Sequence, residues 1–374
     1  DLANAPRALL ASCDLSALLR QGMILFTRHP IDGIKTVKPG IAAFLSDKNA
    51  AVVDNIIRSR LGMDELVDPL LRVKLDLTAL PYKEAAMLTQ YEEVFASKLV
   101  NKLPFVRGSN RAYVTMLNDL RSRSALNVLD QWKRAGIKYT PDDLSDLNQL
   151  INWASGRGTL PKALQQQGRL LNGIFFAPKL QFSRIQFPTA ILPMVTKSAL
   201  VRREAWKQLL SFVGAGASVL TMAKLSGSAD IELDPLSADF GKMKVGSTRL
   251  DIWSGYTQYI RFAANLATGR RKSIYGRTYS ANRWDTLVRF LRTKESPAVG
   301  LINDLLVGET YLGEDLPPKS AKSVVGQMYE RMMPLAIQDL VDGFQQDGPM
   351  GSFISSAGIF GVGVVTYTDE VKRT

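Results

Sequence analysis

Apolar residues return at helical spacing through most of the chain. Between positions 41 and 61 they fall at Phe44, Leu45, Val52, Val53, Ile56, Ile57 and Leu61, intervals that line one face of a helix. Met87, Tyr91, Val94, Phe95 and Leu99 repeat the spacing. Tyr113, Leu117, Leu120, Leu126, Leu129 and Trp132 form a third stripe, with Gly136 placed as a stop signal. Thr140-Pro141-Asp142-Asp143 predicts a helix start. A threonine hydroxyl caps free amides, proline suits the first turn, and carboxylates favour the positive end of the helix dipole. That helix should run through Leu144, Leu147, Leu150 and Ile151. Asp142, Asp143 and Asp146 have the look of an acid cluster, but capping accounts for them. Trp153–Gly158 breaks the pattern. Leu170–Arg184 resumes it with Pro178 as a kink, and Pro188 and Pro193 mark a loop. Ala199–Lys224 predicts one long helix, or two joined near Gly214 and Gly216.

The period changes once. In 240–253, Met243, Val245, Leu250 and Ile252 alternate with Lys242, Lys244, Arg249 and Asp251 around Gly246-Ser247, the signature of a hairpin with a type II′ turn. Ile231 and Leu233 are candidates for a third short strand. Helical spacing resumes in Gly255–Thr268, Asn282–Lys294, Ala298–Leu306 and Ala321–Phe344, the last interrupted near Pro334, with Pro317-Pro318 as a connector. The expected fold is mainly α: an elongated helical protein with one small β-hairpin at about 240–253. The 374 residues divide into a helical region 1–158 and a region 159–374 holding the hairpin, a basic loop and a Gly-rich C-terminal segment.

Composition removes much chemistry. One cysteine, Cys13, cannot form an internal disulfide, and one cysteine with one histidine, His29, cannot furnish a Cys/His zinc site of about four ligands. A Ser-His-Asp triad would depend on His29, which sits in Arg28-His29-Pro30 and is expected in a solvent-facing turn. Gly214-Ala-Gly216 and Gly361-Val-Gly363 lack the spacing of a nucleotide loop, and no P-loop pattern exists. Glu92-Glu93 and Glu314-Asp315 show no spacing that separates a catalytic pair from surface charge. No catalytic residue, metal or cofactor is therefore assigned. The chain opens at Asp1 with no basic stretch leading into an apolar core, which reads as a piece of a longer polypeptide without a signal peptide.

Charge is concentrated. Of the net +12, +8 lies between Gly255 and Lys294, where Arg261, Arg270, Arg271, Lys272, Arg277, Arg283, Arg289, Arg292 and Lys294 face one acid, Asp285. Tyr256, Tyr259, Phe262, Tyr275, Tyr279, Trp284 and Phe290 are interleaved. The densest run, 269–277, reads as a Gly-bounded loop between two helices. Such a segment suits phosphates, with rings able to stack on unpaired bases. It also suits an anionic membrane surface, an acidic protein, or plain solvation. The candidate nucleic-acid-binding residues are Arg261, Arg270, Arg271, Lys272, Arg277, Arg283, Arg289, Tyr275 and Tyr279. No spacing for base-specific readout accompanies them. Two uncharged stretches complete the picture. Leu209–Ala223 has 15 residues, short of the roughly 20 that span a bilayer, and reads as a buried helix. Gly348–Thr368 has 21, with five glycines and one proline, and is expected to pack as a terminal segment, with entry into a membrane as the alternative.

The stretch from Leu233 to Arg261, LDPLSADFGKMKVGSTRLDIWSGYTQYIR, resembles a segment of very large bacteriophage proteins, the large polyvalent or internal virion proteins. Pro6–Gly22, Arg107–Tyr113, Gly156–Gly158, Asn172–Lys179, Thr268-Gly269, Lys272-Ser273 and Gly361–Tyr367 are similar to the same family. The resemblance implies a non-enzymatic domain of a long virion protein acting in genome packaging or ejection. It implies a place in the capsid or tail lumen, with possible delivery into the host envelope or cytoplasm. The partners implied are phage DNA bound non-specifically, other virion proteins such as portal or tail, the host membrane, and further copies in an oligomer. It carries over no catalytic residue. The rival expectations are a docking module for a neighbouring enzyme domain, and an enzyme acting on nucleic acid or cell wall.

Overall fold

The computed structural model describes residues 17–62, 67–68, 73–75, 77–78, 104–165, 171, 174–273, 276–296, 299–300, 303–304 and 335–367. The protein is mainly α, with twelve α-helices among those residues. A π-helical turn Ala17–Gln21 leads into α1 (Met23–Arg28), α2 (Pro30–Lys35), α3 (Val37–Leu45) and α4 (Asp47–Gly62). A two-residue ladder, β1 (Val67–Asp68) with β2 (Val73–Lys74), precedes α5 (Pro104–Arg134), α6 (Pro141–Ala154), α7 (Lys162–Gln165), α8 (Pro178–Thr189) and α9 (Ala199–Leu225). Then come β3 (Asp230–Ile231), β4 (Met243–Val245), β5 (Thr248–Asp251), α10 (Tyr256–Thr268), β6 (Arg270–Lys272), β7 (Thr278–Ser280) and α11 (Arg283–Arg292). The final elements are α12 (Leu335–Ser355), a 3-10 turn Ser356–Phe360 and β8 (Gly363–Thr366). The stripe at 87–99, the connector Pro317-Pro318 and the span 321–334 lie outside the described residues, as does most of Ala298–Leu306.

The stripe at 41–61 is split at Ser46, whose hydroxyl accepts from Lys48 N at 3.1 Å. Arg111 of α5 holds the break. It donates to the carbonyls of Ala43 and Phe44 at 2.8 and 2.7 Å and to Asp47 at 2.7 Å, so one guanidinium satisfies the end of α3 and the start of α4. The split rotates Leu45, Val52 and Ile56 outward while Ile57 and Leu61 stay in the core. The capping expected at Thr140 is in place. Its hydroxyl accepts from Asp143 N at 3.2 Å, and the Asp143 carboxylate accepts from Thr140 N at 2.8 Å. Asp146 accepts from Ser198 N at 2.9 Å and thereby ties α6 to the start of α9.

One core cluster joins α1, α4, α5, α6, α8, α9 and α10 through residues such as Leu25, Leu61, Leu129, Leu147, Phe187, Phe212 and Tyr256. It draws on both sides of Gly158. That glycine is required where it stands, because a Cβ there would collide with the backbone at Lys179 and Ser183 of α8. Arg121 of α5 is fully buried and donates to Ser155 Oγ at 2.7 Å and Ser155 O at 3.0 Å, fixing the turn that follows α6.

His29 is buried rather than solvent-facing. Burial, reinforced by the Arg28 charge, lowers its pKa, so it packs neutral between α1 and α2. Leu209–Ala223 also departs from expectation. It belongs to one unbroken helix, but Trp206, Leu210, Val213 and Met222 are exposed. α9 is long and apolar enough to cross a membrane, and only 22% of its most apolar window is buried.

The hairpin forms where expected, β4 pairing with β5 through Val245↔Thr248, Lys244↔Arg249 and Met243↔Leu250. Gly246 takes φ 58° while Ser247 keeps a negative φ, as a type II′ turn requires. The hairpin is the centre of a four-stranded antiparallel sheet ordered β3-β4-β5-β8. The Gly-rich C-terminal segment supplies β8, and Asp347, at a kink in α12, accepts from Ser247 N at 2.9 Å.

Candidate nucleic-acid interface

The run 269–277 does not remain a loop. Gly269, at φ 63°, ends α10 and turns the chain into β6, which pairs with β7 through Arg270↔Ser280, Arg271↔Tyr279 and Lys272↔Thr278. The turn is closed by Ser273 N donating to Arg277 O at 2.9 Å and Gly276 N to Ser273 O at 3.0 Å. Cross-strand partners share a face, so the Arg271 guanidinium lies 4.4 Å from the Tyr279 ring centroid. Asn282 then caps α11 by accepting from Trp284 N at 2.9 Å.

The strand alternation sends neighbouring cations in opposite directions. Lys272 is turned toward an acidic loop, 3.3 Å from Glu232 and 3.2 Å from Asp234, and its backbone N donates to Leu236 O at 3.0 Å. Hydrogen bonds to Asp234 and Glu232 raise its pKa. It is a tether for the hairpin rather than an open cation. Arg261 is half-buried rather than open. Burial lowers its pKa, and Tyr367, Asp239 and Asp251 are its electrostatic neighbours. Arg292 pairs with Asp304 at 2.9 Å. Lys294 is buried on the rings of Phe290 and Tyr259, with centroids at 4.9 and 5.4 Å, and donates to Gln258 Oε1. Burial, with Arg184 nearby, brings its pKa down to about 8.

Arg270, Arg277, Arg283 and Arg289 are exposed, and none is ion-paired among the described residues. Arg283 is steadied by donating Nε to Leu266 O at 3.2 Å. Of the interleaved aromatics, Tyr256 is buried. Tyr259, Phe262 and Phe290 form a cluster between α10 and α11, the Phe pair stacked at 4.2 Å and Tyr259 edge-on to Phe290 at 5.4 Å. Trp284 is 68% exposed and Tyr279 is exposed with one ring face under Arg271. Tyr275 lies outside the described residues. The nine candidates therefore resolve into one half-buried arginine, one tether, one stacked pair, four open arginines and Tyr275.

A polar cleft of about 230 Å³ lies between β3, β4 and this hairpin, with Asp230, Glu232, Lys242 and Ser273 in its wall. At its edge Asp239 accepts from Arg249 Nε at 2.8 Å and from the Tyr367 hydroxyl at 2.9 Å, with Lys242 at 3.5 Å. Burial alone would push the Asp239 carboxyl up, but Arg249, Lys242 and Tyr367 together hold it low. No linear spacing announces this cluster, since Tyr367 reaches it only through β8. Among the described residues no group of three His, Cys, Asp or Glu is placed to hold a metal ion. No family model, curated protein or solved structure matches this chain.

Proposed function

We propose that this chain is a non-enzymatic module of a phage virion protein that holds DNA without sequence preference during genome packaging or ejection. The supporting observation is that Arg270, Arg277, Arg283 and Arg289 stand exposed on two consecutive elements, the β6–β7 hairpin and α11, with no carboxylate of the described chain spent on them. Guanidinium groups in that state exchange water and mobile counterions for backbone phosphates. The resemblance carries the virion setting, inside the capsid or tail lumen. Binding of mixed-sequence DNA at several salt concentrations tests the reading. Affinity should fall steeply with salt, and replacing the four arginines by alanine should remove most of it. A flat salt response, or binding untouched by the fourfold variant, overturns it.

A second reading is a docking module for a neighbouring domain or another virion protein. The exposed apolar face of α9, at Trp206, Leu210 and Val213, favours it. Co-purification of virion proteins that survives nuclease treatment and is lost in Leu210→Glu would support this role; retention in that variant would count against it.

A further inference from the structure

The rest of the fold leaves one side of α9 open. Its inner side is fixed in the core by Val201, Ala205, Phe212 and Leu220. Its one acid, Glu204, is buried and paired with Arg28 at 3.2 Å and Lys207 at 3.1 Å. Steps of three and four residues place Trp206, Leu210, Val213, Ala217 and Thr221 in one row on the opposite side, and all are exposed. Arg203 and Lys224 extend that row at its two ends, both exposed and neither ion-paired among the described residues. The outer face is thus uncharged along its middle and cationic at both ends, with the Trp206 ring one turn inside the first cation. That order selects among partners. A second copy laid on the same face, parallel or antiparallel, would set cation beside cation. Nucleic acid has phosphates for the two ends and nothing for Leu210 and Val213. An anionic bilayer surface answers both parts: headgroups attract the end cations, the acyl boundary takes up the middle, and an indole sits where the two meet. The core contacts of the inner side hold α9 in the fold, so it lies in the plane of such a surface and does not span it.

We infer that the outer face of α9 seats this protein on an anionic lipid surface. The inference stands apart from the DNA reading and gives α9 a lipid partner where the second reading gives it a protein. The experiment measures sedimentation of the chain with vesicles of mixed phosphatidylglycerol and phosphatidylcholine, and with vesicles of phosphatidylcholine alone. The mixed vesicles should carry the protein down and the neutral ones should not. Each cation at such a surface contributes about fivefold in affinity, so Arg203→Gln/Lys224→Gln should weaken binding to the mixed vesicles roughly 30-fold. A second measurement locates the contact and does not depend on that variant folding. Cys13→Ser removes the one native thiol, and Val213→Cys in that background carries a polarity-sensitive fluorophore. Its emission should shift to the blue and brighten on the mixed vesicles. Absence of sedimentation with the mixed vesicles, or equal binding to neutral ones, overturns the inference. So does sedimentation with a silent fluorophore, which moves the contact to another surface such as the basic hairpin, or full binding by a folded double variant. Capture of a protein through Leu210 without any vesicle binding also overturns it and returns the face to the docking reading.

Discussion

The Tyr367 hydroxyl donates to the Asp239 carboxylate at 2.9 Å, across 128 positions of sequence. This bond joins the residue after β8 to the loop before β4, while Arg249 grips the other oxygen of the same carboxylate at 2.8 Å and lies 5.0 Å from the Tyr367 ring centroid. Tyr367→Phe should lower unfolding free energy by about 1.5–3 kcal/mol, the range for hydrogen bonds to charged groups. Urea titration measures it, and an unchanged midpoint would refute the role assigned to the hydroxyl. Because Asp239 is held below the usual carboxylate range, its share of stability is full above about pH 4 and drains away as acid protonates it.

Lys294 gives the same sign of pH dependence for a different reason, since its charged form is penalised by burial. Its pKa is brought down to about 8 in the folded protein, against about 10.4 when exposed. Between those values the unfolded chain binds more protons, so stability should rise with pH. The penalty for burying the charged ammonium is complete below pH 8 and relieved above it. Raised tyrosine pKa values at Tyr256, Tyr259 and Tyr367 turn the trend downward above about pH 10. Denaturation across that window should show the rise in the native sequence and lose it in Lys294→Met.

Asp339 of α12 offers a neutral-range test. Burial, with Asp342 adding to it against the pull of Arg20, drives its pKa up to about 7. The folded state then holds the extra proton between about pH 4 and 7, so this carboxyl should make the protein more stable as pH falls from 7 toward 4. Asp339→Asn should raise the melting temperature at pH 7.5 and flatten its pH dependence. A variant that melts lower at pH 7.5 would show that the carboxylate is instead needed charged.

Two glycines of α9 should respond with opposite signs. A methyl on Gly216 would meet the Trp253 ring, whereas nothing lies near the corresponding position on Gly214. Gly216→Ala should cost about 1–3 kcal/mol through overpacking. Gly214→Ala should add about 0.5–1 kcal/mol by restricting the unfolded chain. Thermal melts of the pair decide it, and equal shifts would contradict the packing of α9 on the sheet.

Local signals are legible in the sequence. Thr140 and Asp143 lie three residues apart and satisfy each other within one turn, so their bonds follow from sequence spacing. Gly246-Ser247 likewise makes its turn from its own backbone preferences. What composition does not disclose is direction. Arg261 and Arg289 carry the same charge, yet one is half-buried and the other exposed. The helix phase held part of the answer: Arg261 lies one turn past buried Thr257, and Lys294 one turn past Phe290. The hairpin hid a further part, because strand alternation sends Arg271 and Lys272 to opposite faces, and only the acid pair at Glu232 and Asp234 decides which of them is occupied. Long-range partners such as Tyr367 and Asp239 have no periodic signature.

The sheet is completed from the far end of the sequence, β8 pairing with β5 from Thr248↔Thr366 to Asp251↔Gly363. A truncation product ending before Gly363 would fold its helices around a raw strand border, its amides and carbonyls unclaimed. Such a border recruits the same strand from another molecule, so shortened material should clump where the intact polypeptide stays dispersed.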